Sequence, residues 1–192
     1  MKQILIIDAH PAATSLCSAL VERYSAAALD NRAEVREVHL RDLQFDPILH
    51  EGYEQRQDWE PDLLSTWQLF EWASHIVFVY PTWWGGHPAL LQGFFERVFL
   101  PGKVATFHEN DSGWDKLLLG KTAQIITTMD TPYWYYRTFY LNCGIRHVKQ
   151  TILEFTGLKV RVQVFGNVKF SKQKTREKWL KKAAQLGAAA AR

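Results

Sequence analysis

Apolar positions along this chain follow two rhythms. Unbroken apolar runs lie within KQILIID (2–8), HIVFVY (75–80) and TAQIITTM (122–129), as in strands buried on both faces of a parallel sheet. EVREVHL (34–40) and KVRVQVFG (159–166) alternate polar with apolar, or nearly so, and read as edge strands with one half-wet face. Between these segments the spacing is helical. Leu16, Leu20, Tyr24 and Ala27 recur on one face behind a Thr14-Ser15 cap,. Leu63, Leu64, Trp67 and Phe70 mark a second helix, and Pro88 opens a third as a first-turn proline,. A fourth is expected from about Ile145 to Phe155, stopped by Gly157, and a last one from near Ser171 through Trp179 and Leu180,.

Strand and helix alternate through the whole chain, with no linker or repeat, so residues 1–192 read as a single domain,. The expected fold is α/β: a doubly wound five-stranded parallel sheet between two helical layers. Central strands one, three and four with edges two and five give the flavodoxin-like order 2-1-3-4-5. Ligands of such sheets bind beyond the carboxyl ends of the strands, where strands one and three diverge.

Three loops reach that rim. DAHPAATS (8–15) leads into a helix N-terminus, whose free N–H groups favour an anion,. His10, Thr14 and Ser15 add donors, with no Lys or Arg in the loop. PTWWGG (81–86) offers Pro81, Thr82, Trp83 and Trp84 beside two glycines that allow close backbone approach,. TTMDTPYWYY (127–136) brings Thr127, Thr128, Met129 and Asp130, then four aromatics that cannot all face one core,. A phosphate cradle, an aromatic bend and a polar–aromatic wall together suit a phosphorylated planar cofactor.

Composition narrows the classes. The chain has 192 residues, 47% hydrophobic, with a formal net charge of +3. Residues 159–192 hold ten Lys/Arg against Glu177 alone, expected as the wet face of a terminal helix rather than a nucleic-acid site,. Cys17 and Cys143 form no CxxC, and the seven histidines no HExxH, so no metal site is expected,. LGKT (119–122) lacks the earlier glycine of a P-loop, Asp115 standing in its place,. No signal segment or membrane-inserted span is expected, and the cytoplasm is the default location.

YPTWWGGHPALLQGFFERVF (80–99) resembles the signature stretch of the flavodoxin-like NAD(P)H:quinone oxidoreductases, the DT-diaphorase family. ILIIDAHPAATS is similar to that family's phosphate loop, ITTMD (126–130) to its third flavin loop and ILEFTG (152–157) to the helix after it. The resemblance implies a bound flavin, NAD(P)H as cosubstrate, ping-pong two-electron reduction of quinones or other aromatic acceptors, and a homodimer with the site at the subunit interface. It places His10, Ser15, Leu16 and Cys17 around the phosphate. Pro81, Thr82, Trp83 and Trp84 hold the ring, with Thr127, Thr128 and Asp130 opposite.

The chain departs from the family at four points. Cys17 stands where eukaryotic members carry asparagine, and Met129-Asp130 replaces a glycine-rich loop. The family's tyrosine–histidine relay has no histidine counterpart, leaving Tyr133 and Tyr135 as the candidates for a proton-handling side chain. The longer C-terminal region of FAD-binding members is missing, so FMN is expected, with FAD as the alternative. The apolar surplus on the helix after Pro88 (Leu90, Leu91, Phe94, Phe95, Val98, Phe99) is expected at the dimer interface,. Rival readings are a flavodoxin-type electron carrier, which the positive net charge disfavours, and an accessory flavoprotein subunit of a membrane transporter.

Overall fold

A computed structural model describes residues 1–192. Five strands form the main sheet: β1 (Gln3–Asp8), β2 (Glu34–His39), β3 (His75–Pro81), β6 (Thr122–Thr128) and β7 (Lys159–Phe165). All four pairings are parallel, in the order β2-β1-β3-β6-β7. Counting only these five strands along the chain, the order is 2-1-3-4-5. Two further strands, β4 (Ala105–Phe107) and β5 (Trp114–Lys116), make a separate antiparallel hairpin that the sequence pattern does not announce.

The period of two along each strand sorts the side chains between two layers. Ile4 and Ile6 of β1, with Val77 and Val79 of β3, meet Leu20, Val21 and Tyr24 of α1 (Leu16–Asp30) and Ala183 of α6 (Gln173–Ala190). Leu5, Ile7, Ile76 and Phe78 meet Leu63, Trp67 and Phe70 of α2 (Pro61–Trp72) and Leu91, Phe94 and Phe95 of α3 (Ala89–Val98). All seven residues of β3 are buried, as an apolar run in the centre of a sheet requires,. Asp8 pairs with Val79, and Pro81 with Thr128, so the chain leaves β1, β3 and β6 at one rim.

Three local expectations change. The aromatic run after β6 is a helix, α4 (Tyr133–Phe139), starting behind Pro132. The helix expected over 145–155 is split into α5 (Cys143–Arg146) and a π-helical segment, His147–Glu154. Pro88 is the cap before α3 rather than a residue of its first turn.

The apolar surplus of α3 also goes elsewhere than expected. Leu91, Phe94, Phe95 and Val98 are all buried within the chain, and Leu90 and Phe99 pack against that core. The long segment 43–60 covers part of α3, close enough that a Cβ on Gly93 would collide with Pro47. Arg97, wholly buried, fixes the segment by donating to the Asp46 and Asp58 carbonyls and pairing with Glu60 at 2.9 Å. Most of the α3 apolar face is therefore packed within the chain.

Candidate functional site

The rim holds a cleft of about 270 Å³ between the loops after β1, β3 and β6. Its first wall is the start of α1. Ser15 is the N-cap, its Oγ accepting from the Ser18 amide at 3.0 Å,. Upstream, the His10 amide donates to Asp8 Oδ1 at 3.1 Å and the Ala12 amide to His10 Nδ1 at 3.0 Å. The loop is thus folded by its own side chains.

Asp8 is completely buried, and an ionised carboxylate there needs partners,. It receives Nη1 of Arg41 at 2.7 Å, the Ser18 hydroxyl at 3.1 Å, and lies 3.3 Å from Nδ1 of His39. Arg41 comes from a single 3-10 turn, Leu40–Asp42, after β2. Sequence reading found no cation in the 8–15 loop, and Arg41 enters from outside it. Its charge is matched to Asp8, so the donors left facing the cleft are neutral amides and hydroxyls at a helix N-terminus. The signal that could have found this network is Asp8 itself, a carboxylate ending a buried apolar run.

The second wall is a tight turn. Trp83 and Gly86 exchange both backbone hydrogen bonds, each 2.9 Å. Between them Trp84 and Gly85 take φ of 52° and 78°, two left-handed residues in succession,. Glycine adopts this conformation freely, but for Trp84 it costs about 1–2 kcal/mol. The turn is tied to β6 by the Thr82 amide donating to the Thr128 carbonyl at 2.6 Å, and by Thr82 and Thr127 hydroxyls 2.8 Å apart. Trp83 meets the His10 ring edge-on at 5.8 Å, closing the cleft from above. Trp84 is fully exposed and points away from it.

Thr128, Met129 and Asp130 form the third wall. Thr128 Oγ1 lies 3.5 Å from Cys17 Sγ, and Asp130 Oδ1 accepts from the Lys169 amide at 2.9 Å. Val168, on the loop after β7, completes the lining. No sequence signal marks it, because its place depends on the pairing of β7 with β6. Cys17 sits in the first turn of α1, where a thiol is commonly acidified. Burial instead pushes it up to about 12, against an opposing Thr128 hydrogen bond, so it stays a neutral thiol.

All the residues expected at the cofactor line this one cleft except Trp84 and Thr127, the latter buried beneath it in contact with Thr82. Tyr133 and Tyr135 do not reach it. They lie half-exposed on α4, with Tyr135 stacked on Phe139 at 4.5 Å. The tyrosine that reaches the rim is the next one, Tyr136, buried, with its hydroxyl donating to the Gly85 carbonyl at 2.7 Å.

A larger cavity of about 500 Å³ lies elsewhere, between α3, β4 and the π-helical segment, lined by Phe95, Phe99, Phe107, Ile152 and Phe155 with Gln92, Glu96 and His147. It has no helix N-terminus and no ring of free amides, so it does not suit a phosphate. His87 faces this side, its Nε2 2.6 Å from Gln92 Oε1 and its ring against Phe95 and His147. Burial, the largest cause, lowers its basicity.

The rim cleft fits a flavin nucleotide on its donor set alone: an unpaired helix start with hydroxyls for a phosphate, and Pro81–Trp83 with Thr128–Asp130 for a planar ring. Comparison with known proteins bears on the family and the fold. A family model described as a flavodoxin-like fold matches residues 2–187. The chain is similar to an uncharacterised NAD(P)H oxidoreductase of Haemophilus influenzae, 28% identical over 187 residues, covering 94% of this chain and 92% of that one. Its fold is that of an NAD(P)H:quinone oxidoreductase from Methanothermobacter marburgensis, at TM-score 0.86 and 19% identity over 98% of both chains. It is also that of an FMN-dependent NADH-azoreductase from Bacillus anthracis solved with FMN, at TM-score 0.81 and 16% identity over 100% of both chains. The chain belongs to the Flavodoxin_2 family of flavodoxin-like fold.

Proposed function

We propose that this oxidoreductase holds FMN in the rim cleft and uses NAD(P)H to reduce quinones or similar aromatic acceptors, the two substrates taking the same open face in turn. One observation carries the reading: the α1 N-terminus, the Trp83 turn and the Thr128–Asp130 loop converge on a single cleft. The start of α1 with Thr14 and Ser15 would bind the phosphate. Pro81, Thr82 and Trp83 would bear on the ring from one side, and Thr128, Met129 and Asp130 from the other. Bound flavin supplies the hydride-accepting and hydride-donating chemistry.

The protein's part is to orient and to exclude water. The Thr82–Thr128 and Thr82–Thr127 contacts lock two walls together, and the Trp83 ring meets His10 across the cleft. Cys17 is too weak an acid to act as a nucleophile. At about 270 Å³ the cleft falls just below the roughly 300–1,000 Å³ usual for enclosed small-ligand pockets, so the outer part of the ring is left open to a second substrate,. The FMN held by the azoreductase of the same fold supports FMN over FAD.

The family resemblance supports a homodimer that completes the open side. The half-exposed and exposed aromatics Trp83, Trp134 and Phe139 leave apolar surface for it,. Light scattering at micromolar concentration should then show twice the chain mass.

The test of the whole reading is direct. Purified protein should show a flavin spectrum, or acquire one with FMN, and should bleach under anaerobic NADH or NADPH and recolour with a simple quinone. A colourless protein that refuses both FMN and FAD sinks it.

A further inference from the structure

The Trp83–Gly86 turn holds a non-glycine residue, Trp84, in a left-handed conformation, and such strain persists only where the surroundings over-determine it,. The constraint comes from α4 and α5. The Tyr136 hydroxyl donates to the Gly85 carbonyl at 2.7 Å and accepts from the Gly144 amide at 3.0 Å. One phenol therefore joins the tip of the turn to the start of α5, and it is buried.

The chain bends specifically to make this joint. Leu141 and Asn142, between α4 and α5, are both left-handed, with φ of 50° and 55°. That reversal turns the Gly144 amide back towards the phenol. Gly144 lies so close to the turn that a Cβ there would collide with the Gly85 carbonyl and press on Gly86. Two strained segments thus meet at the Gly85 carbonyl, which accepts from the Tyr136 hydroxyl at 2.7 Å and from the Cys143 thiol at a longer 3.7 Å, and the turn carries the Pro81–Trp83 wall of the cleft.

We propose that Tyr136 is a positioning residue for the cofactor: its hydroxyl fixes the tip of the Trp83–Gly86 turn, and through the turn the backbone that lines the ring side of the cleft. It does not touch the cofactor and transfers no proton. The inference rests on the flavin reading above, and the role it gives Tyr136 differs from the proton handling expected of Tyr133 and Tyr135. Burial, the largest cause, raises the phenol to about 12, so it donates throughout the physiological range.

The test compares wild type, Tyr136→Phe, and Tyr136→Phe with Trp84→Asn. Asparagine tolerates the left-handed region, so it removes the strain that the phenol otherwise restrains. The Trp84 indole does not line the cleft, so its loss leaves the proposed ring contacts intact. Each protein is checked for folding by circular dichroism. FMN dissociation constants are then measured, and exchange of the Trp83 and Gly86 amides is followed in the apoprotein.

Tyr136→Phe should raise the FMN dissociation constant on the order of tenfold, the worth of about one hydrogen bond, and speed exchange at both amides. The double variant should recover both properties. An unchanged dissociation constant in Tyr136→Phe overturns the assignment even if exchange rises, and so does a double variant that recovers neither. If wild type binds neither FMN nor FAD, the flavin reading fails by itself, and unchanged exchange in Tyr136→Phe would separately refute the turn lock.

Discussion

Nη1 of Arg41 donates to Oδ2 of Asp8 across 2.7 Å, joining the turn after β2 to the last residue of β1 beneath the 8–15 loop. The Asp8 side chain is 1% exposed and that of Arg41 14%, so the pair is removed from water. Arg41→Met keeps the aliphatic packing but leaves the carboxylate uncompensated. Breaking a buried pair in this way costs about 3–5 kcal/mol. Urea unfolding should show a loss of that order, with weaker FMN binding because the His10 amide leans on the same carboxylate. A variant as stable as wild type would mean that Ser18, His39 and the His10 amide satisfy Asp8 without the arginine.

A second buried titratable group sits at the opposite end of the sheet. His75 Nε2 lies 3.1 Å from the Tyr24 hydroxyl and its Nδ1 2.7 Å from Thr122 Oγ1. Burial, helped by the positive charges of Lys2 and Arg161, lowers its pKa from 6.5 to about 4. The folded state thus prefers the neutral ring. Its contribution is complete above about pH 6.5 and is lost as pH falls from there towards 4, where the unfolded chain binds the extra proton,. The slope approaches about 1.4 kcal/mol per pH unit within that window. Urea midpoints from pH 7.5 to 5 should fall accordingly, and His75→Gln should flatten the curve. An equal slope in the variant would assign the acid lability elsewhere.

The sheet was legible in the sequence because β1, β3 and β6 are buried on both faces, which forces the apolar runs at Ile4–Ile7 and Ile76–Tyr80. Topology then brings three loops to one rim, so most of the cleft could be named before any coordinates. What stayed hidden depends on distant partners. Arg41 belongs to the site only because β2 lies next to β1, and Val168 only because β7 lies next to β6. The β4–β5 hairpin has three-residue strands with largely wet side chains, too short for any period to show. The surplus on α3 pointed to a partner subunit because nothing local announces that Arg97 pins residues 43–60 across it. The aromatic run 133–136 was read as loop, since helical aromatics without a polar stripe lack the usual amphipathic signature.

The two cysteines should behave oppositely towards a thiol reagent. Cys143 is exposed, while Cys17 is buried with its pKa raised to about 12. At pH 8 only about one part in ten thousand of such a thiol is ionised, and the thiolate is the reactive form. Native protein should therefore titrate one thiol with Ellman's reagent, and guanidinium-unfolded protein two. Rapid reaction of two thiols in the native state would show that the floor of the cleft opens to solvent.

Ser15 separates the structural and the binding duties of the first wall. As N-cap it satisfies the Ser18 amide at 3.0 Å, and Ser15→Ala should cost about 1 kcal/mol of stability,. Ser15→Asp keeps the cap, since aspartate ranks with serine there, and adds a charge that the helix dipole favours, so unfolding should stay within about 0.5 kcal/mol of wild type. The same charge faces a bound phosphate. FMN binding should weaken about tenfold or more in Ser15→Asp, as expected for like charges a few ångströms apart in a poorly hydrated site, while riboflavin binding holds. Stability and affinity then move independently, which a general loosening of the loop would not produce. If Ser15→Asp binds FMN and riboflavin with wild-type affinities, the phosphate does not sit at the start of α1 and the cleft is read in the wrong direction.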